Sequence, residues 1–148
     1  MTIRNEQVLD VFRGLPGHRG CSSYELDAAQ TQLGVTLPQR YREMMQLDAA
    51  RLCGAGIVAP IRRLHELRQD AIDLLIGDGH SYRLDADDVV FAWDDVYAFY
   101  FFKADGNDDP PVMMFNYYDS AHAWAPVVAY NTLTTYFTDT LRRYLKLS

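Results

Sequence analysis

The sequence predicts an α+β fold, with helices packed on a small antiparallel sheet, and three observations carry that reading. Apolar residues recur at helical spacing through much of residues 3–76 and again over 132–147. Between these stretches lie two aromatic-rich runs, Tyr97–Lys103 and Val112–Tyr118, whose side-chain types suit a pleated surface. The two runs are split by Ala104–Pro111, nearly all turn formers, so they read as a β-hairpin with a longer loop. Helices, then strands, then a helix is the segregated order that argues α+β, with the helices laid on one face of the sheet.

The elements follow in order. Ile3–Gly14 places Ile3, Val8, Val11 and Phe12 near helical spacing and stops at Gly14-Leu-Pro-Gly17. In the next segment Ser22 and Glu25 form an S-x-x-E capping box, Leu26, Ala29 and Leu33 line one face, and Gly34 suits a left-handed C-terminal cap. Val35-Thr-Leu-Pro38 is a tight link, and Pro38 opens a third helix with Tyr41, Met44 and Met45 as its buried stripe. Arg51–Ala59 reads equally as a short strand or an extended link. From Pro60 to Ile76 the residues Ile61, Leu64, Leu67, Ala71, Ile72 and Leu75 share a helical face, and Gly77-Asp-Gly79 ends it. Val89–Trp93 supplies a third strand beside the hairpin, giving a meander. Pro110 and Pro111 cannot continue a ladder and belong to the loop and the rim of the returning strand. The last helix, Thr132–Leu147, buries Leu133, Tyr136, Phe137, Leu141, Tyr144 and Leu145 and carries Arg142, Arg143 and Lys146 in its closing turns, where cations favour the helix dipole.

At 148 residues the chain fits one domain, residues 1–148, large enough to bury a core without disulfides or metals. Its 49% hydrophobic and 23% charged residues, with no low-complexity tract, exclude a disordered chain. No apolar run matches the roughly 20 residues that a bilayer span requires, and the N-terminus lacks a basic region followed by an apolar core. No membrane association and a cytoplasmic location are therefore expected. Cys21 and Cys53, isolated and without a CxxC partner or neighbouring histidine, are expected as reduced thiols.

Net charge of −6 disfavours nucleic acid as a partner. The distribution is sharper than the total. Ten aspartates fall between Asp78 and Asp119 against Arg83 and Lys103, a local balance of −8, while the rest of the chain carries ten acids and twelve bases. Such a field steers basic partners toward the hairpin region.

The pairs Asp87-Asp88, Asp94-Asp95 and Asp108-Asp109 invite a metal or acid–base reading, since paired carboxylates hold Mg²⁺ or share a proton. Loops favour aspartate for turn chemistry, however, no Asp-x-Asp-x-Asp-Gly loop is present, and adjacent strand residues point to opposite faces. His18, His65, His80 and His122 match no ligand spacing. No catalytic residue, metal site or cofactor is expected. The aromatic strands leave two readings open: with one sheet face bare, several rings form a contact surface, whereas with Pro60–Ile76 on one face and the last helix on the other they are core.

The order Gln-Leu-Gly-Val-Thr-Leu-Pro-Gln-Arg-Tyr-Arg-Glu-Met-Met (32–45), Tyr-Ala-Phe-Tyr-Phe-Phe (97–102), Asp-Pro-Pro-Val-Met-Met-Phe-Asn (109–116) and Leu-Thr-Thr-Tyr-Phe-Thr-Asp-Thr-Leu (133–141) resembles the SUKH superfamily, bacterial toxin-immunity domains related to a yeast regulator of cell-wall synthesis. The likeness runs over about Ser22–Leu145, a core of 22–147 with residues 1–17 as a helical addition. The family's usual Asn-Gly after the second helix is replaced by Leu47-Asp-Ala-Ala50, which leaves the turn there open. The resemblance implies a non-catalytic immunity protein that binds and neutralises a cognate protein toxin, a nuclease or another toxin with a basic site. The alternative is a regulatory scaffold that recruits cellular proteins. The expected contact residues are Asp87, Asp88, Trp93, Asp94, Asp95, Tyr97, Asp108, Asp109, Tyr117 and Tyr118, on a monomer or weak homodimer.

Overall fold

The computed structural model describes residues 3–94, 98–116 and 125–147. Five α-helices, α1 (Asn5–Arg13), α2 (Ser23–Leu33), α3 (Gln39–Gly54), α4 (Leu64–Gly77) and α5 (Leu133–Tyr144), accompany four strands, β1 (Asp88–Asp94), β2 (Ala98–Lys103), β3 (Val112–Asn116) and β4 (Val127–Tyr130). The strands form an antiparallel meander in the order β1-β2-β3-β4, so the expected three-stranded sheet gains β4.

Local chemistry writes both ends of α2. The Ser22 hydroxyl accepts from the Glu25 N–H at 3.1 Å while the Glu25 carboxylate accepts from the Ser22 N–H at 3.1 Å, and Gly34 ends the helix at φ 71°. The third helix runs further than its apolar stripe suggests. It breaks at Asp48 (φ −161°, ψ 67°) and resumes, because the Asp48 carboxylate accepts from the Arg51 N–H at 3.2 Å, as an N-cap does. That resolves the Leu47–Ala50 turn as a helix restart. Arg51–Ala59 is neither candidate alone: the helix continues to Gly54, and the Ala59 N–H then donates to the Phe91 carbonyl at 2.9 Å along the outer edge of β1.

Helices cover both faces of the sheet, which corrects the one-face expectation. On one face Val90, Phe99, Phe101 and Phe115 pack with Leu67, Ala71 and Leu75 of α4. On the other, Val89, Phe91, Phe102 and Val112 join the larger core made by α1, α2, α3 and α5. The register shifts between Val90 and Ala92, and this bulge at Phe91 puts Phe91 and Ala92 into the same core while Val90 and Trp93 face α4. The rings therefore serve as core. Phe99 stacks on Phe115 at 5.4 Å, and Phe91 meets Tyr136 edge-on at 5.0 Å.

The N-terminal helix is bound into this core. Val8 and Phe12 are fully buried, each burial contributing about 1.5–3 kcal/mol, and Arg142 of α5 donates to the Ile3 carbonyl at 2.7 Å and to Asn5 Oδ1 at 3.1 Å.

Candidate partner-binding surface

β1 starts in a knot of charge. Lys103 ends β2, opposite Asp88, and its ammonium donates to Asp85 at 2.7 Å, Asp87 at 3.1 Å and Asp88 at 3.1 Å. Arg68 of α4 adds two bonds to carbonyls here, to Asp88 at 3.1 Å and Asp85 at 2.7 Å. Asp85, Asp87 and Asp88 are the group among the described residues whose carboxylates converge closely enough to hold a cation, and the lysine ammonium fills that role. Asp88 is 1% exposed. Its burial raises the carboxyl above the usual range against the pull of the Asp85 N–H and Lys103, while hydrogen bonding, to Asp85 first, holds Lys103 protonated well above an ordinary lysine.

The β2–β3 loop spends one of its paired aspartates on structure. The half-buried Asp109 accepts from the Thr134 N–H at 2.8 Å and the Thr134 hydroxyl at 2.7 Å, capping the first turn of α5 from outside the helix. Asp108 is exposed at its side chain, and its carbonyl accepts from the Arg40 N–H at 3.0 Å at the start of α3. Two carboxylates that look alike in the sequence thus differ in what they leave to a partner.

Trp93 and Asp94 stand at the opposite end of β1, about 20 Å from Asp88 at roughly 3.3 Å per residue. Asp94 pairs with Ala98 and Ala98 with Asn116, so these three form one row across the sheet. Asp95, Tyr97, Tyr117 and Tyr118 adjoin that row in sequence and lie outside the described residues. Of the expected contact residues that are described, Asp87, Asp88, Asp108 and Asp109 belong to the Lys103 end of the sheet, and Trp93 and Asp94 to the other end.

Two clefts flank the Trp93–Asp94 end. One, of about 490 Å³, is lined by Gly56, Asp94, Tyr100, Tyr130, Tyr136 and Arg143 among others, and the second, about 590 Å³, runs between α4 and β1 over Leu67, Asp70, Asp73 and Leu74. Trp93 lines both. In the first cleft the Tyr130 hydroxyl donates to Asp139 at 2.8 Å, and burial, then that bond, lifts Tyr130 to about 12. Burial first, then Asp94, raises Tyr100, while Arg143 opposes. The sequence held a signal for this wall: Tyr136, Thr140, Arg143 and Tyr144 recur at i, i+4, i+7 and i+8, one face of α5.

A meander covered on both faces by helices, with no helix among the described residues long and apolar enough to cross a membrane, is the frame of an α+β domain whose exposed features sit at the ends of the sheet. The model of the SMI1 / KNR4 family (SUKH-1) matches residues 20–139, most of the chain, and the protein belongs to that family. It is a family associated with toxin immunity and related regulators. Comparison with curated proteins and with solved structures returns no match.

Proposed function

We propose that this SUKH-1 domain is an immunity protein, acting in the cytoplasm without catalysis by binding a cognate protein toxin and blocking it. The family match over residues 20–139 carries the reading. The distribution of charge supports it: Asp94 and Asp108 are exposed and have no cationic partner among the described residues, as a surface that steers a basic toxin requires. Trp93 is the aromatic anchor beside Asp94, and Asp95, Tyr97, Tyr117 and Tyr118 extend the proposed contact.

Co-expression with the toxin encoded beside this chain tests the proposal. The wild type restores growth, and Asp94→Lys with Asp108→Lys loses that rescue while the thermal transition is kept. Asp109 is left intact in this test because it caps α5. A wild type that gives no rescue rejects immunity toward that toxin, leaving the scaffold alternative.

A further inference from the structure

The two clefts meet on one side chain, and their rims are not electrically balanced. Arg63 and Arg143 are the cations lining them. Arg63 pairs with its own neighbour Glu66 through two contacts of 3.3 Å, and Arg143 lies 3.5 Å from Asp139, four residues away on α5. Asp70, Asp73 and Asp94 make no ion pair among the described residues and all three are exposed, although Arg63 feels the charge of Asp70 from across the second cleft. Asp73 accepts from the Gln69 amide at 3.0 Å, which leaves its charge in place. Between them stands Trp93, half-buried, its indole held against the fully buried Phe99 ring at 5.4 Å. An indole backed by a buried ring, in clefts whose rims carry three carboxylates without ion pairs, is complementary to a cation that also has a flat face, because the ring quadrupole and the carboxylates attract the same guanidinium.

We propose that the Trp93 ridge, with Asp70 and Asp73 of α4 on one side and Asp94 on the other, receives an arginine-bearing segment of the bound protein. The inference deepens the toxin-binding reading and rests on it for the identity of the partner, though not for the chemistry of the surface. It also moves part of the contact off the hairpin, onto a face of α4 that serves the fold only as its solvated side. Volumes of about 490 and 590 Å³ are within the range of side-chain and small-ligand sites.

Two measurements test it. In the first, a peptide Ac-Arg-Gly-Arg-Gly-Arg-NH₂ is titrated against the full chain carrying Trp124→Phe, so that Trp93 is the one reporting indole, and its glutamate counterpart serves as comparison. The arginine peptide shifts the indole resonance saturably at low salt and the glutamate peptide does not. Asp70→Asn with Asp73→Asn weakens the arginine peptide by about fivefold, the size expected for two exposed ion pairs. Equal response to both peptides, no indole response, or an unchanged affinity in the double variant overturns the proposal. In the second, Asp70→Lys with Asp73→Lys is carried into the rescue assay beside Glu6→Lys with Asp10→Lys on α1. Loss of rescue in the α4 pair alone supports the surface, and rescue by both pairs overturns it while leaving immunity standing. If the wild type itself fails to rescue, immunity fails, and the peptide titration still decides the surface.

Discussion

Replacing Asp48 with alanine should cost about 3 kcal/mol, and the structure lets that figure be built up. The carboxylate is 1% exposed and makes four contacts: Oδ1 accepts from the Arg19 and Arg51 N–H groups at 3.2 Å each, and Oδ2 meets Arg51 Nη1 at 2.7 Å and His18 Nδ1 at 3.1 Å. Losing the cap at the restart of α3 costs about 1 kcal/mol, and losing a charged acceptor for the Arg19 N–H costs about 1.5–3 kcal/mol. Removing one partner of a fully buried pair costs about 3–5 kcal/mol, but Arg51 keeps 24% of its side chain in water, which holds the sum near the lower limit. For a chain of 148 residues that is a fall of about 6–12 °C in Tm. Urea unfolding followed by circular dichroism measures it, with an unchanged m-value required for the comparison. Asp48→Asn retains an oxygen for both N–H groups but sets an amide donor against Arg51 Nη1, so it keeps the cap, loses the ion pair and should cost about half as much. A Tm change under about 2 °C for the alanine variant refutes the reasoning, and an asparagine variant as damaged as alanine shifts the weight from the cap to the ion pairs.

Asp109→Ala should lower stability by about 1–2 kcal/mol by removing the acceptor for the Thr134 N–H and hydroxyl while the Thr132 cap stays, seen as a lower Tm and faster amide exchange in the first turn after Thr132. Gly20→Ala should cost about 3 kcal/mol or more, read from the urea midpoint, because its Cβ would lie 1.6 Å from the Gln46 carbonyl oxygen between two anchoring bonds, Cys21 N–H to Met45 and Ala50 N–H to Arg19. Asp88→Asn probes a sign. The folded carboxyl is raised above its unfolded value, so the native state binds more protons between the ordinary carboxylate range and the raised value, and wild-type stability falls as pH rises through that window. The asparagine variant lacks this loss and should gain relative to wild type over the same rise in pH. If it loses instead, attraction to Lys103 outweighs burial.

What the sequence allowed to be read depends on how far each cause lies along the chain. The two ends of α2 were legible because Ser22, Glu25 and Gly34 act within one turn of the helix they bound. The extension of α3 was not, because Asp48 accepts from the Arg19 N–H, 29 residues away, and without that bond an aspartate before two alanines reads as a turn. Alternation placed Phe99 and Phe101 on one face and Tyr100 and Phe102 on the other, as found, yet said nothing of which helix covers which face. β4 went unread for a different reason: Val127–Tyr130 is four residues long and gains its ladder from β3 rather than from a pattern of its own.

The acidic character of the hairpin region shows why counting charges overstates a surface. Ten aspartates between Asp78 and Asp119 suggest one negative face, but a carboxylate held by an internal cation or by the fold offers less to a partner than one that stands alone. Lys103 touches three at once and offsets one unit of their charge, and Asp109 is committed to Thr134 by hydrogen bonds that fix its position. The register causes the first of these, since pairing Asp88 with Lys103 sets the chain's densest acidic run beside the lone cation of β2. Asp70 and Asp73, which look in sequence like the ordinary polar side of an amphipathic helix, make no ion pair among the described residues, because the nearby arginines bond elsewhere, Arg63 just before α4 to Glu66 and Arg68 of α4 to the Asp85 and Asp88 carbonyls. Three carboxylates against one ammonium still leave the Asp88 end of the sheet negative, so the acidic character is shared between that end and the Trp93 end. What distinguishes them is that the first is tied together by Lys103, while Asp70, Asp73 and Asp94 make no ion pair among the described residues.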